Sequence, residues 1–215
     1  MADVGQTLQD APESIVDELD HLMVRLFAMV SQGLRAASEA FLGGDRDIAR
    51  GVVAGDRHVD DLSAEVERVV ERRLADLDHA DAREIRRLVS ILRIAPELER
   101  SGDLIEHIAL RTPQRLAEAL TPRARALLHD MGTAAADLWE GATDAYVDRD
   151  PRRVDELRQG DEVIDDLHVE LTEELARGNC SVAQAIELGL IARFYERLGD
   201  HAVNVAARIG YLVDG

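Results

Sequence analysis

Apolar residues recur at three- and four-residue spacing along nearly the whole chain. Val59, Leu62, Val66, Val69 and Leu77 form one series, and Leu157, Ile164, Leu167, Leu171 and Leu175 another. This is the period of a helix with one buried face, and no segment alternates apolar and polar residues as a half-buried strand would. The pattern breaks at "GGD" (43–45), "DLDHAD" (76–81), "RTPQ" (111–114), "LTP" (120–122), "DRDP" (148–151) and "RGNCS" (177–181). Six helices of roughly 27–33 residues are therefore predicted, each about 40–50 Å long. Asp150 before Pro151 suits an N-cap and first helical position, and Ser181 follows the "RGN" stop as the next cap. Pro96 lies where the third helix should be continuous, and is expected to kink or restart it by removing a backbone bond.

The six-helix pattern repeats. "GDRHVDDL" at 55–62 matches "GDEVIDDL" at 160–167 in five of eight positions, with Val59 against Ile164. One helix later "ER-x-GD" occurs at 99–103 and again at 196–200. Two matches in the same order and between similar breaks imply duplication. The predicted fold is all-α: two tandem antiparallel three-helix bundles, residues 1–113 and 114–215, dividing near 114–121. Each "ER-x-GD" places a glycine inside a helix, at a cost of about 1 kcal/mol relative to alanine. Keeping Gly102 and Gly199 at matched positions suggests that a neighbouring backbone or ligand comes close there.

Composition narrows the function. In 215 residues, 46% apolar, 43 acidic side chains oppose 25 basic ones, giving a formal charge of −18. Such a chain repels a phosphate backbone, so no nucleic-acid partner is expected and a cation or basic protein surface is favoured. Every basic residue is Arg, which excludes P-loop and Schiff-base lysine chemistry. Cys180 is alone, so neither an internal disulfide nor a cysteine zinc site is expected. The N-terminus lacks the basic and apolar regions of a signal peptide, and no apolar run reaches the 18 or so residues of a membrane span. A cytoplasmic protein is expected.

Acidic pairs at i,i+4 recur in both halves: Asp56/Asp60 with Glu99/Asp103, and Asp161/Asp165 with Glu196/Asp200. An acid-rich chain makes such pairs by chance, and they serve ordinarily as solvated faces. Their duplicated position is the informative feature, because like charges at this spacing oppose a helix by about 0.2–0.5 kcal/mol unless a cation offsets them. Taking about 100° per residue, each pair lies to the same side of its own apolar stripe. In antiparallel neighbours this directs four carboxylates into one outer groove per half. All-oxygen sites suit hard cations such as Mg²⁺, Mn²⁺ and iron. His107 follows Asp103 at i+4 and could add a nitrogen ligand. Arg100 and Arg197 are expected to neutralise neighbouring carboxylates or meet a partner.

"LERSGDLIEHIA" and "YERLGDHAVNVA", each preceded one helix earlier by "GDxxxDDL", resemble the repeated signature of the PhoU family of phosphate-transport regulators. The resemblance extends over nearly the whole chain, with Pro96 and the His107/Asn204 mismatch as departures. It implies metal binding through E(D)xxxD motifs at Asp56, Asp60, Glu99, Asp103, Asp161, Asp165, Glu196 and Asp200, with Fe, Mn, Mg or Zn, including multinuclear iron. It also implies a homodimer, and a negative regulator of phosphate uptake and of the phosphate-starvation response. Such an adaptor links the ATPase subunit of the phosphate ABC transporter to a sensor histidine kinase, peripherally at the inner face of the membrane. No Ser/His/Asp or Cys/His constellation is evident among the residues, so no enzyme is expected. The alternative is a ferritin-type di-metal enzyme, but its sites lie in the bundle core and need Glu-x-x-His on two helices. The chain does not carry two such motifs. A purely structural helical scaffold is the third class.

Overall fold

The structure, a computed structural model, describes residues 15–76, 82–150, 152–178 and 180–213. Leu77 and Pro151 lie outside the described residues. Six long helices account for most of them: α1 (Ile15–Gly43), α2 (Arg46–Ala75), α3 (Ala82–Ala109), α4 (Pro122–Asp148), α5 (Arg153–Ala176) and α6 (Val182–Val213). Two short 3₁₀ turns, Thr112–Gln114 and Leu116–Ala119, join α3 to α4, and no strand occurs among the described residues.

The breaks act through local backbone chemistry. Gly44 and Arg149 both adopt left-handed φ, at 72° and 51°. The next amide in each case, Asp45 or Asp150, bonds back to Ala40 or Ala145, which closes the preceding helix. The Asp45 carboxylate then accepts the Asp47 and Ile48 amides and caps α2. The Asp150 carboxylate instead accepts the Arg152 amide just ahead of α5, whose cap residue is Arg152 and not the expected Asp150. Glycine is the economical choice at such a φ, and Arg149 tolerates the strain while its guanidinium reaches Asp20. Ser181 and Gln184 form a reciprocal capping box at the start of α6.

α3 runs unbroken through Pro96, contrary to the expected kink or restart. Proline removes one hydrogen bond there, but Ile91, Ile94, Ala95 and Leu98 are fully buried around it. Packing on both sides holds the helix through the missing bond.

Helices α1, α2 and α3 pack on one another, as do α4, α5 and α6, and the two sets meet through α1 on α4 and α3 on α6. α2 and α5 thus lie on the outside, each held chiefly by its own half. The shared core includes Phe27, Phe41, Trp139 and Tyr195, all essentially inaccessible. Its polar groups are partnered: Trp139 Nε1 donates to the Leu198 carbonyl within the second half at 3.0 Å, and Tyr195 donates across the seam to Ser38 Oγ at 2.8 Å. Ser101 Oγ lies 3.0 Å from His201 Nδ1. Asp20 on α1 receives Tyr146 from α4, Arg149 from the cap that follows α4, and Arg87 from α3.

Candidate metal centre

In the first half α2 lies against α3 at Gly102. A Cβ built there would come 3.0 Å from Asp56 Oδ1 and 3.2 Å from Val59 Cγ1. In the second half a Cβ on Gly199 would collide with Asp161 Oδ1 and approach Ile164 Cδ1 to 3.1 Å. The two glycines therefore let a carboxylate and a branched apolar side chain of the outer helix sit directly on the backbone of α3 or α6. This is the physical reason for the repeated "ER-x-GD".

The arrangement gathers each set of sequence-derived acids. Asp56 is half-buried and Asp60 exposed on α2; Glu99 is half-buried and Asp103 exposed on α3. Asp161/Asp165 on α5 and Glu196/Asp200 on α6 repeat this. Burial, with the charges of Asp60, Glu106, Asp103 and Glu99, pushes the Asp56 carboxyl from 3.8 to about 6. Burial, with Asp165, Asp200, Glu196 and Glu162, pushes Asp161 to about 6 as well. Glu99 and Glu196 are raised too, chiefly by burial. Asp56 Oδ1, Asp161 Oδ1 and Glu196 Oε2 are buried and find no hydrogen-bond partner, whereas buried polar atoms are ordinarily satisfied.

Two groups escape the sequence-level set. Glu106 acts on Asp56, and His168 lowers the pKa of Glu196. Both were findable: Glu106 follows Glu99 by seven residues, and His168 follows Asp161 by seven. His107, by contrast, does not join the first cluster. Its ring packs on Phe194 of α6 at 5.6 Å, beside Arg111, whose guanidinium lies 5.0 Å over the same ring. Arg100 pairs with Glu97 at 2.8 Å, and the nearest basic partner of Glu196 is Arg193.

The donors in each groove are carboxylate oxygens with surplus negative charge, a chemistry fitting hard cations. Among the described residues, no three His, Cys, Asp or Glu side chains are drawn together in the geometry of a metal site. Asp56, Glu99, Asp161 and Glu196 are half-buried, while Asp60, Asp103, Asp165 and Asp200 are exposed. Among the described residues no helix is long and apolar enough to cross a membrane.

Comparison with known proteins agrees with this architecture. The PhoU domain model matches residues 23–112 and 128–209. The phosphate-specific transport system accessory protein PhoU homolog 1 of Mycobacterium tuberculosis is 31% identical over 201 residues, spanning 92% of this chain and 90% of that protein. The corresponding homolog from Zymomonas mobilis is 27% identical, over 100% of this chain and 91% of its own. The crystal structure of PhoU from Pseudomonas aeruginosa matches with a TM-score of 0.86 at 24% identity, covering 94% of this chain and 98% of that one. The phosphate transport system regulatory protein PhoU of Streptococcus pneumoniae gives 0.79 at 23% identity, over 93% and 96%. The chain belongs to the PhoU family.

Proposed function

We propose that this protein is an accessory protein of a phosphate transport system, and a regulator rather than an enzyme. In this reading it restrains phosphate uptake and the phosphate-starvation response when phosphate is ample, as a cytoplasmic homodimeric adaptor between the transporter ATPase and a sensor histidine kinase. The near full-length family match supports the accessory role. Deleting the gene in its host is expected to switch on phosphate-starvation genes in phosphate-rich medium. Expression that still follows phosphate normally would refute the regulatory role.

We further propose that the two carboxylate grooves bind Fe, Mn, Mg or Zn. The supporting observation is the set of three buried, unpartnered carboxylate oxygens inside clusters of like charge. The grooves lie between an outer and an inner helix, not in the bundle core, which disfavours a ferritin-type enzyme. Asp56, Glu99, Asp161 and Glu196 would supply the half-buried donors, and Asp60, Asp103, Asp165 and Asp200 the exposed ones. A ligand bound only by the folded state stabilises it by RT ln(1 + [L]/Kd), about 2.7 kcal/mol at a hundredfold excess over Kd. Divalent metal should therefore raise the melting temperature of chelator-treated protein, and the response should largely vanish in Asp103→Asn/Asp200→Asn. That variant, metal-free, should melt no lower than metal-free wild type. Equal metal responses in both proteins would make these acids plain surface.

A further inference from the structure

The two halves differ in the cleft between their first and second helices. The left-handed residues Gly44 and Arg149, and the aspartate–amide bonds Asp45–Asp47 and Asp150–Arg152 that follow them, fix the register between halves at 105 residues. In that register Met29, Gly33, Ala36, Gly51, Val52 and Gly55 of α1 and α2 correspond to Ala134, Leu138, Gly141, Glu156, Leu157 and Gly160 of α4 and α5. In the second half Leu138 covers Gly160 so closely that a Cβ there would lie 2.6 Å from Leu138 Cδ1. The first half has Gly33 in place of that leucine. Nothing lies within 4 Å of a Cβ built on Gly51 or Gly55, so α2 presents bare backbone at two sites one turn apart.

The α1–α2 cleft has a volume of about 380 Å³, with walls that include Met29, Val52, Val59 and Ile105. Its second-half counterpart, about 370 Å³, carries Asp137, Arg153 and Glu156 where the first has Gln32, Ile48 and Gly51. The first-half cleft is therefore the apolar one, and its single charged lining residue is Asp56. Asp56 Oδ1 is buried without a partner, and the four charged groups acting on it are all carboxylates. An occupant must be apolar where Gly33 leaves room and cationic where it meets Asp56. A second copy of this chain, at −18, is a poor electrostatic match.

We propose that the α1–α2 cleft is a docking site for a cationic amphipathic helix of a partner protein. A leucine-sized side chain of that helix occupies the place Leu138 fills in the second half, and an Arg or Lys one turn away meets Asp56. The bare backbone at Gly51 and Gly55 allows the two helices to approach closely. Helix-in-groove recognition uses anchors at this spacing. The inference goes beyond the accessory reading; because Asp56 is also a proposed metal donor, the helix and a metal ion compete for it, and the test is run without metal.

Gly33→Leu copies the second half into the first. A Cβ at Gly33 lies at ordinary contact distance, 3.5 Å from Ile105 Cγ2, so the variant should fold and melt no lower than wild type. Gly51→Leu fills the same cleft from α2 and serves as a second variant. The probe is a fluorescein-labelled alanine-based helical peptide of about 16 residues, with Leu on one face and Arg four residues later, titrated in chelating buffer. It should bind wild type, and both variants about tenfold or more weakly, as should a peptide with Glu for Arg against wild type. No binding to wild type, or equal binding to wild type and Gly33→Leu, overturns the proposal. A native mass that falls to that of a monomer in Gly33→Leu would show that a second copy fills the cleft, and overturns it too. Because these readouts need no regulatory phenotype, their failure is separable from failure of the accessory role.

Discussion

Asp56 and Asp161 rest on glycine backbone, within the field of other acids and with one oxygen each left unbonded. Their raised pKa values have a defined consequence for stability. A carboxyl that holds its proton more tightly when folded stabilises the fold below its unfolded value near 3.8, and loses that contribution as pH rises through about 6. Glu99 and Glu196 shift in the same direction. His201 opposes them: burial lowers its pKa, so its contribution is lost as pH falls below about 6.5. Four acids outweigh one histidine. Chelator-treated protein should therefore melt higher at pH 5.5 than at pH 7.5 in a thermal scan, and Asp56→Asn/Asp161→Asn should flatten that dependence. A melting temperature that rises with pH in wild type would contradict the assigned shifts.

Along a single helix, close approach and propensity can be separated by comparing two glycines of α6. Gly189 has nothing within 4 Å of a built Cβ, whereas one at Gly199 meets Asp161 and Ile164. Gly189→Ala should gain up to about 1 kcal/mol from helix propensity. Gly199→Ala should lose about 1–3 kcal/mol to overpacking, partly offset by the same propensity. Chemical denaturation of both variants checks the difference in sign. The six helices were legible in the sequence because apolar period, caps and breaks agree. Pro96 misleads because a single missing hydrogen bond is a local defect, and the burial of Ile94 and Leu98 that outweighs it is tertiary. Cluster membership was legible where positions repeat, and failed at His107 through helix geometry. Seven residues after Glu99 the helix returns to within about 20°, so Glu106 stays on the stripe, but eight residues carry His107 about 80° away. There it meets Phe194 of the other half, a neighbour no local period reveals. The cleft at Gly33 is hidden for a related reason: only the paired comparison with Leu138 shows what is missing.

Across the whole molecule the halves are joined through α1, α3, α4 and α6, and Asp20 is a shared point where Tyr146, Arg149 and Arg87 converge. Asp20→Ala removes the acceptor for all three, and should cost about 1–3 kcal/mol in denaturant unfolding. A loss below a few tenths would mean that the Asp20 cluster contributes nothing to holding the seam. The outer position of α2 and α5 has a different consequence. Each can detach without opening the seam, so each is a natural unit of sub-global unfolding. Each also carries half of a carboxylate set whose other half is anchored on α3 or α6. A cation bridging them would work as a clasp that converts ion concentration into the lifetime of the closed helix. Backbone amides of α2 and α5 should then exchange with deuterium faster than those of α3 and α6 in chelator, and added metal should slow α2 and α5 selectively. Uniform slowing of all six helices would instead mean that metal only stabilises the molecule as a whole.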